Sequence, residues 1–293
     1  MAAEMYSIKD LENLSGIKAH TIRIWEKRYG IVQPGRTDTN IRYYTNQDLR
    51  KLLNISMLTH YGFKISTVSQ MDDGEIAQKI AGLSIGNHPD TYSESLLLSL
   101  IDLDEQLFNK TFLEIIIGEG FENTIIKFIF PFFHRIGIMW QIGTITPAQE
   151  HFISNLIRNK IIVATERITR APDPALGSVM LFLPENELHE ISLLFYNYVL
   201  RARGYKTIYL GQSVPYHSLD RIIASCNFSF IVTNLTNPLP AEEFLEFCQL
   251  ICQAAAGTTV YFTGPIPNDI EGRLPENAFL KEDLLTRLEM SSS

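Results

Sequence analysis

The segment from Ser178 to Gly204 constrains this chain more than any other. Ser178 to Leu183 is a continuous apolar run, short, partly β-branched and ended by Pro184, which predicts a buried strand. From Leu188 onward apolar residues recur at Ile191, Leu194, Phe195, Tyr198 and Val199, the spacing of one helix face, and Gly204 closes that helix. Strand, turn and helix place Glu187 and His189 at a strand's carboxyl end, where open α/β sheets bind their ligands. A lone histidine there is most simply a solvated loop residue. The alternative is a metal ligand whose ring Glu187 orients.

The same alternation continues to the end of the chain. After the linker Ala171-Pro172-Asp173-Pro174, strands are expected at Ser178 to Leu183, Lys206 to Leu210, Phe228 to Thr233, Thr258 to Phe262 and Ala278 to Leu280. Helices are expected at Leu188 to Arg203, Pro215 to Ser225, Pro240 to Ala256 and Lys281 to Met290. This pattern predicts a doubly wound parallel sheet of roughly five strands. It has no Gly-x-Gly-x-x-Gly after the first strand and no Gly-Lys-Ser/Thr, which argues against a nucleotide phosphate site.

The middle of the chain reads as helical. A short helix over Glu75 to Leu83 is followed by three long patterns: Tyr92 to Gly118 (kinked near Asp102), Phe121 to Trp140 (kinked at Pro131) and Pro147 to Thr169. Short connections between them predict an antiparallel four-helix bundle. At the last junction Gly143 lies in the turn, Thr146 caps the next helix, Pro147 opens it and Gln149 completes the capping box. Glu150 and His151 then fall one turn into the helix. Glu150 lines up with Ile153, Ile157 and Ile161, where a carboxylate needs a partner or an exposed position. Taken singly, Trp140 reads as core and Glu150 as a helix-start carboxylate.

The net charge of −8 conceals an asymmetry: residues 1–70 carry ten Lys+Arg against six Asp+Glu, leaving +4 there and −12 on the rest. A basic head on an acidic body suits a nucleic-acid reader fused to another module. Ser7 with Asp10 caps a first helix, and Ser15-Gly16-Ile17 turns into a second over Lys18 to Arg28, with Ile22 and Trp25 inward. Lys18, His20, Thr21, Arg23 and Arg28 face largely outward. A turn-rich stretch and Ile41-Arg42-Tyr43-Tyr44 follow, and Thr45 with Asp48 caps a third helix. Two short helices with a glycine turn fit either a helix-turn-helix or an ordinary helical hairpin.

The stretch Tyr6 to Val68 resembles the MerR family of winged helix-turn-helix regulators. The match rests on Tyr6-Ser7-Ile8, Thr21 through Gly30, Arg36, Arg42-Tyr43-Tyr44 and Gly62-Phe63. The resemblance implies double-stranded operator DNA as partner, with the second helix in the major groove and Arg42 and Tyr43 of the wing on phosphates. Lys18, His20 and Thr21 are then candidates for base edges, and Arg23, Arg28, Arg36 and Arg42 for phosphates. The long dimerising helix and metal-binding tail common in that family are not seen in this sequence.

Trp140, nine residues, then Glu150-His151 resembles the cobalamin-binding bundle of the light-sensing repressors of that family, the CarH and LitR group. Glu187-x-His189 with Ser192, Thr233-Asn234-Leu235 after forty intervening residues, and Thr263-Gly264 after a further twenty-seven resemble the cobalamin-binding signature. The resemblance implies that His189 ligates cobalt from below with Glu187 orienting it. It implies that the cofactor's dimethylbenzimidazole tail enters a slot between sheet and helices, with Thr233 and Leu235 against it. Gly264 would give the tail room, and Trp140, Glu150 and His151 would cover the adenosyl side. Ser192 and Thr263 stand where the signature has glycines, and Gln141 stands where some light sensors carry a second histidine; these departures bear on tail entry and on the light response.

The expectation is therefore a multidomain α and α/β protein: a winged helix-turn-helix over 1–72, a helical bundle over 73–172 and a Rossmann-like cobalamin-binding domain over 173–293. It is a non-enzymic regulator, a repressor that senses adenosylcobalamin and light through a homo-oligomer, dimer or tetramer. The alternatives are a MerR-type regulator with a degenerate corrinoid pocket and a corrinoid methyl-transfer module. Cys226, Cys248 and Cys252 read as free thiols in a cytoplasmic protein, and no apolar run is long enough to span a membrane.

Overall fold

The computed structural model describes residues 6–37, 40–60, 62–82, 89–141, 145–255, 257–268, 270, 272–282 and 284. The chain divides into two compact units, Met1–Leu156 and Ile157–Ser293.

The first unit opens with α1 (Ile8–Ser15), whose cap Ser7 and N3 residue Asp10 bond reciprocally to each other's backbone N–H. Gly16, left-handed at φ 72°, ends it. α2 (Ala19–Tyr29) ends the same way at Gly30. The wing is β1 (Gly35–Arg36) antiparallel to β2 (Arg42–Tyr43), with Arg36 opposite Arg42. A Cβ on Gly35 would lie 2.3 Å from the Tyr43 ring, so the glycine is what lets that ring lie across the wing. Tyr44 is fully buried, bridges to Tyr6 through two 2.8 Å backbone bonds and donates its hydroxyl to Glu26 of α2. α3 (Asn46–His60) starts at the predicted Thr45–Asp48 box and buries Leu49, Leu52, Leu53 and Ile55. α4 (Ile65–Val68) and α5 (Asp73–Gly82) follow, and α3 packs on α5. Trp25, expected inward, is only half-buried.

α6 (Pro89–Asp102) packs on α3, and Arg50 of α3 forms an ion pair with Asp102. The expected kink near Asp102 is a full break. Leu103 is left-handed at φ 53° and Asp104 caps a new helix, α7 (Glu105–Glu119), by accepting from Leu107 N–H. The expected kink at Pro131 is also different. α8 (Phe121–Thr124) passes into a π-helical turn at Ile125–Ile129 and then α9 (Phe130–Gln141), so the widened turn accommodates the ring at Pro131. α10 (Pro147–Glu166) starts at the predicted Thr146–Gln149 box. Gly143 and the side chain of Gln141 lie outside the described residues.

The second unit holds a five-stranded parallel sheet: β3 (Ser178–Phe182), β4 (Lys206–Gly211), β5 (Phe228–Asn234), β6 (Val260–Thr263) and β7 (Ala278–Leu280), in the order β4-β3-β5-β6-β7. α11 (Ile191–Ala202) packs on β3, β4 and β5. α12 (Tyr216–Ser225) and α13 (Ala241–Ala254) cover the face of Met180, Phe182, Ile231, Val260 and Phe262. A row of rings crosses the sheet: Tyr205–Phe230 and Phe230–Tyr261 meet edge-on and Tyr261–Phe279 is tilted, with centroids 5.3 to 5.8 Å apart. Numbered within its own domain the order is 2-1-3-4-5, which puts the switch point between β3 and β5. The helix expected over Lys281 to Met290 is described only at 281, 282 and 284. Cys248 and Cys252 are buried thiols, pushed up to about 12 and about 11 by desolvation, and Cys226 is exposed. Among the described residues no helix is long and apolar enough to cross a membrane, and no group of three His, Cys, Asp or Glu is placed to hold a metal.

Candidate DNA-reading surface and corrinoid site

The head presents its cations on α2 and the wing. Lys18 is exposed and pairs with Glu12 at 3.2 Å, which holds that carboxyl below its ordinary range. His20 is exposed beside the Thr21 hydroxyl at 3.3 Å, and Arg23 and Arg28 are exposed, the latter over the Tyr29 ring. In the wing Arg36 donates to Asn40 Oδ1 at 2.6 Å, and Arg42 lies 3.6 Å from Glu26. Sequence reasoning missed Ile24. It is 52% exposed on the side of α2 that also presents His20, Arg23 and Lys27. An apolar side chain in such a row suits a thymine methyl, and the 20, 24, 27 spacing is the signal that could have found it.

In the bundle, Trp140 is not core: it is 57% exposed, while Ile136 and Met139 before it are buried. Ile153, Ile157 and Ile161 are fully buried, and Glu150 stands at the partly exposed end of their row. Its Oε2 lies 3.1 Å from Nδ1 of the exposed His151, which gives the carboxylate both water and a partner. An exposed indole and a half-buried carboxylate paired with an exposed imidazole are groups a ligand can use without disturbing the packing below.

The second unit builds its site at the switch point. Pro184 to Glu190 leaves β3 as a loop, with Asn186 left-handed at φ 70°. Glu187 Oε1 accepts the backbone N–H of His189 at 2.9 Å and lies 2.8 Å from His189 Nδ1. Glu187 Oε2 accepts the N–H of Thr236, beyond β5, at 3.1 Å. Burial would raise the Glu187 carboxyl, but the bonds from His189 and Thr236 outweigh it and hold the group below its ordinary range. The turn after β4 braces the loop: Ser213 N–H donates to Glu187 O at 3.1 Å and Gln212 Nε2 to Leu188 O at 2.5 Å. With a carboxylate on Nδ1, the favoured tautomer carries its proton there and leaves the lone pair on Nε2. The ring is 63% exposed, and its Glu187 partner only 10%.

Glu190 follows, buried at the start of α11. Arg158 of α10 donates Nε to its Oε1 at 2.5 Å and Tyr209 of β4 donates its hydroxyl to Oε2 at 2.7 Å. Burial and this carboxylate together push the Tyr209 phenol far up. Neither Thr236 nor the Glu190 network was expected from sequence; both are long-range contacts with no local pattern.

The remaining expected residues separate. Thr233 is fully buried and its hydroxyl has no partner among the described residues, an acceptor and donor in reserve. Ser192 is half-buried in the first turn of α11. The Thr263 hydroxyl, by contrast, is engaged with Thr233 O at 3.0 Å and Asn234 Oδ1 at 2.9 Å. Gly264 has φ 105°, and a Cβ there would stand 1.8 Å from Leu235 O. The room this glycine makes is taken by the chain's own Leu235 backbone. The donor set at His189 thus fits a metal bound through Nε2, and Thr233 fits a polar group delivered to it.

Residues 6–75 match the family described as MerR HTH family regulatory protein, and residues 92–164 match the B12 binding domain. The chain is 29% identical over 265 residues to the HTH-type transcriptional repressor CarH of Myxococcus xanthus, covering 87% of this chain and 86% of that protein. It is 21% identical over 259 residues to the HTH-type transcriptional repressor CarA of the same organism, covering 88% and 85%. Among solved structures, the monomethylamine corrinoid protein of Methanosarcina barkeri superposes with a TM-score of 0.51 at 16% identity, covering 66% of this chain and 94% of that one. That likeness is one of fold.

Proposed function

We propose that this chain, a MerR-type DNA-binding head joined to a B12-binding domain, is a transcriptional repressor that senses adenosylcobalamin and, through it, light. The reading keeps the three domains 1–72, 73–172 and 173–293 and a cytoplasmic setting. Its central support is one arrangement: His189 at the sheet's switch point, its Nδ1 held by Glu187 and its ring largely exposed. His189 would hold cobalt through Nε2, and Glu187 would fix the ring's tautomer and raise its basicity. Trp140 would offer a flat apolar cover, and Glu150 and His151 polar groups for ribose hydroxyls. Adenosylcobalamin, when bound, supplies a cobalt–carbon bond that light can break.

On the DNA side Arg23, Arg28, Arg36 and Arg42 would neutralise phosphates while Lys18, His20 and Thr21 meet base edges. One head offers a short contact. Several heads brought together by a ligand-dependent homo-oligomer, dimer or tetramer, would bind an operator far more tightly than one. Nothing in this scheme requires turnover, so the chain acts as a regulator and not as an enzyme.

The test is gel filtration and operator binding of the full chain with adenosylcobalamin, in the dark and after green light. A larger dark species that binds DNA and falls apart in light supports the reading. A bound cofactor with no change in size or DNA affinity removes the switch. A constitutive DNA binder that retains no cofactor leaves a regulator with a degenerate pocket.

A further inference from the structure

At the carboxyl ends of β5 and β6, Asn234, Leu235 and Thr263 bond to one another, while the Thr233 hydroxyl is left without a partner among the described residues. Thr263 and Asn234 are registered partners on adjacent strands and share one face of the sheet. They are 2% and 3% exposed, and the Thr263 hydroxyl ties them together as well as reaching Thr233 O. Leu235 N–H donates to Thr263 O at 3.0 Å. Its carbonyl lies against Gly264, in the place a Cβ would take. Tyr196 of α11, one turn past Ser192 and 7% exposed, hydrogen-bonds with the Thr263 side chain from the helix side. The gap between α11 and these strand ends is therefore closed by a phenol ring, a threonine methyl and a hydrogen-bonded trio. A group entering there must displace the ring and break bonds it can only partly replace.

We infer that this site selects corrinoids by what hangs below the ring: Tyr196 and Thr263 fill the space a nucleotide tail would need, so a tailless corrinoid binds more tightly than cobalamin. The inference deepens the corrinoid reading above and rests on it. A tail that stays outside also keeps its own base available to cobalt, in competition with His189. A corrinoid without one leaves the lower position to His189 alone.

The experiment is an equilibrium titration of the full chain with aquacobinamide and, separately, with hydroxocobalamin, followed in the visible corrin bands. Cobinamide is expected to bind tighter by about tenfold or more, the factor carried by one ordinary hydrogen bond broken without replacement. Thr263→Gly and Tyr196→Ala, each checked for native circular dichroism, should narrow that ratio by strengthening cobalamin binding. Equal affinities, or tighter cobalamin binding by the unaltered protein, overturn the inference and leave the corrinoid reading standing. So does a ratio that neither substitution moves. Failure of both corrinoids to bind removes the corrinoid reading itself.

Discussion

Arg158 and Glu190 are 32 residues apart in the chain and 2.5 Å apart in space, and the carboxylate that joins them is next to His189. Glu190 is almost wholly buried while Arg158 is 43% exposed, so the two partners respond differently to loss. Arg158→Ala leaves a buried charge with only the Tyr209 hydroxyl, at a cost of about 1–3 kcal/mol once solvent screening of the arginine is allowed for. Glu190→Gln leaves an arginine that water can reach and should cost less. Urea denaturation of both variants checks the order. A larger loss for Glu190→Gln contradicts it.

The Glu187 carboxyl is held below its ordinary value of 4.5 in the folded chain. A lowered folded value means that its stabilisation is complete above the unfolded value and is lost as pH falls through the folded one. The stability difference between wild type and Glu187→Gln should therefore shrink as pH falls below the ordinary carboxylate range. Denaturant midpoints measured at a series of pH values give that difference directly. A gap that widens below that range speaks against the assignment.

Gly264→Ala tests the close approach at the strand ends. The alanine must adopt φ 105° and place its Cβ 1.8 Å from a backbone oxygen that no side-chain rotation can move. Strain of this kind costs about 1–3 kcal/mol before the clash is relieved, so a loss above about 2 kcal/mol is expected. A variant with the wild-type melting temperature would show that the strand ends give way.

For the head, Arg23→Ala and Arg28→Ala should weaken binding to every duplex alike and flatten the salt dependence by about 0.9 in log–log slope for each phosphate left unneutralised. His20→Ala and Ile24→Ala should instead change the ranking among sequences. Fluorescence anisotropy on a duplex selected with the wild-type protein, at several salt concentrations, separates the two classes. A slope unchanged by either arginine substitution places those residues off the phosphates.

Much of this was legible in the sequence, for physical reasons. Caps at Ser7, Thr45 and Thr146 are local chemistry, and all three helices begin where those boxes predict. The apolar runs that alternate with helical patterns after residue 171 could only become a parallel sheet. The Glu187–His189 pair is two residues long, so its geometry was also local. What stayed hidden was non-local or conformational. No glycine or proline marks the break at Leu103, where Asp104 as a cap was the only signal. A π-helical turn before Pro131 has no sequence pattern of its own. Thr236, Arg158 and Tyr209 reach Glu187 and Glu190 from three other elements. Gly264 looked like room for a ligand and is room for Leu235.

The most direct test is the visible spectrum of the full chain after incubation with corrinoid and removal of unbound material, for wild type and His189→Ala, with cobinamide and cobalamin run in parallel. The account predicts a retained corrin chromophore in the wild type and its loss in His189→Ala, with the DNA-binding head still folded. A chromophore that survives the substitution unchanged, or that the wild type never retains, contradicts it.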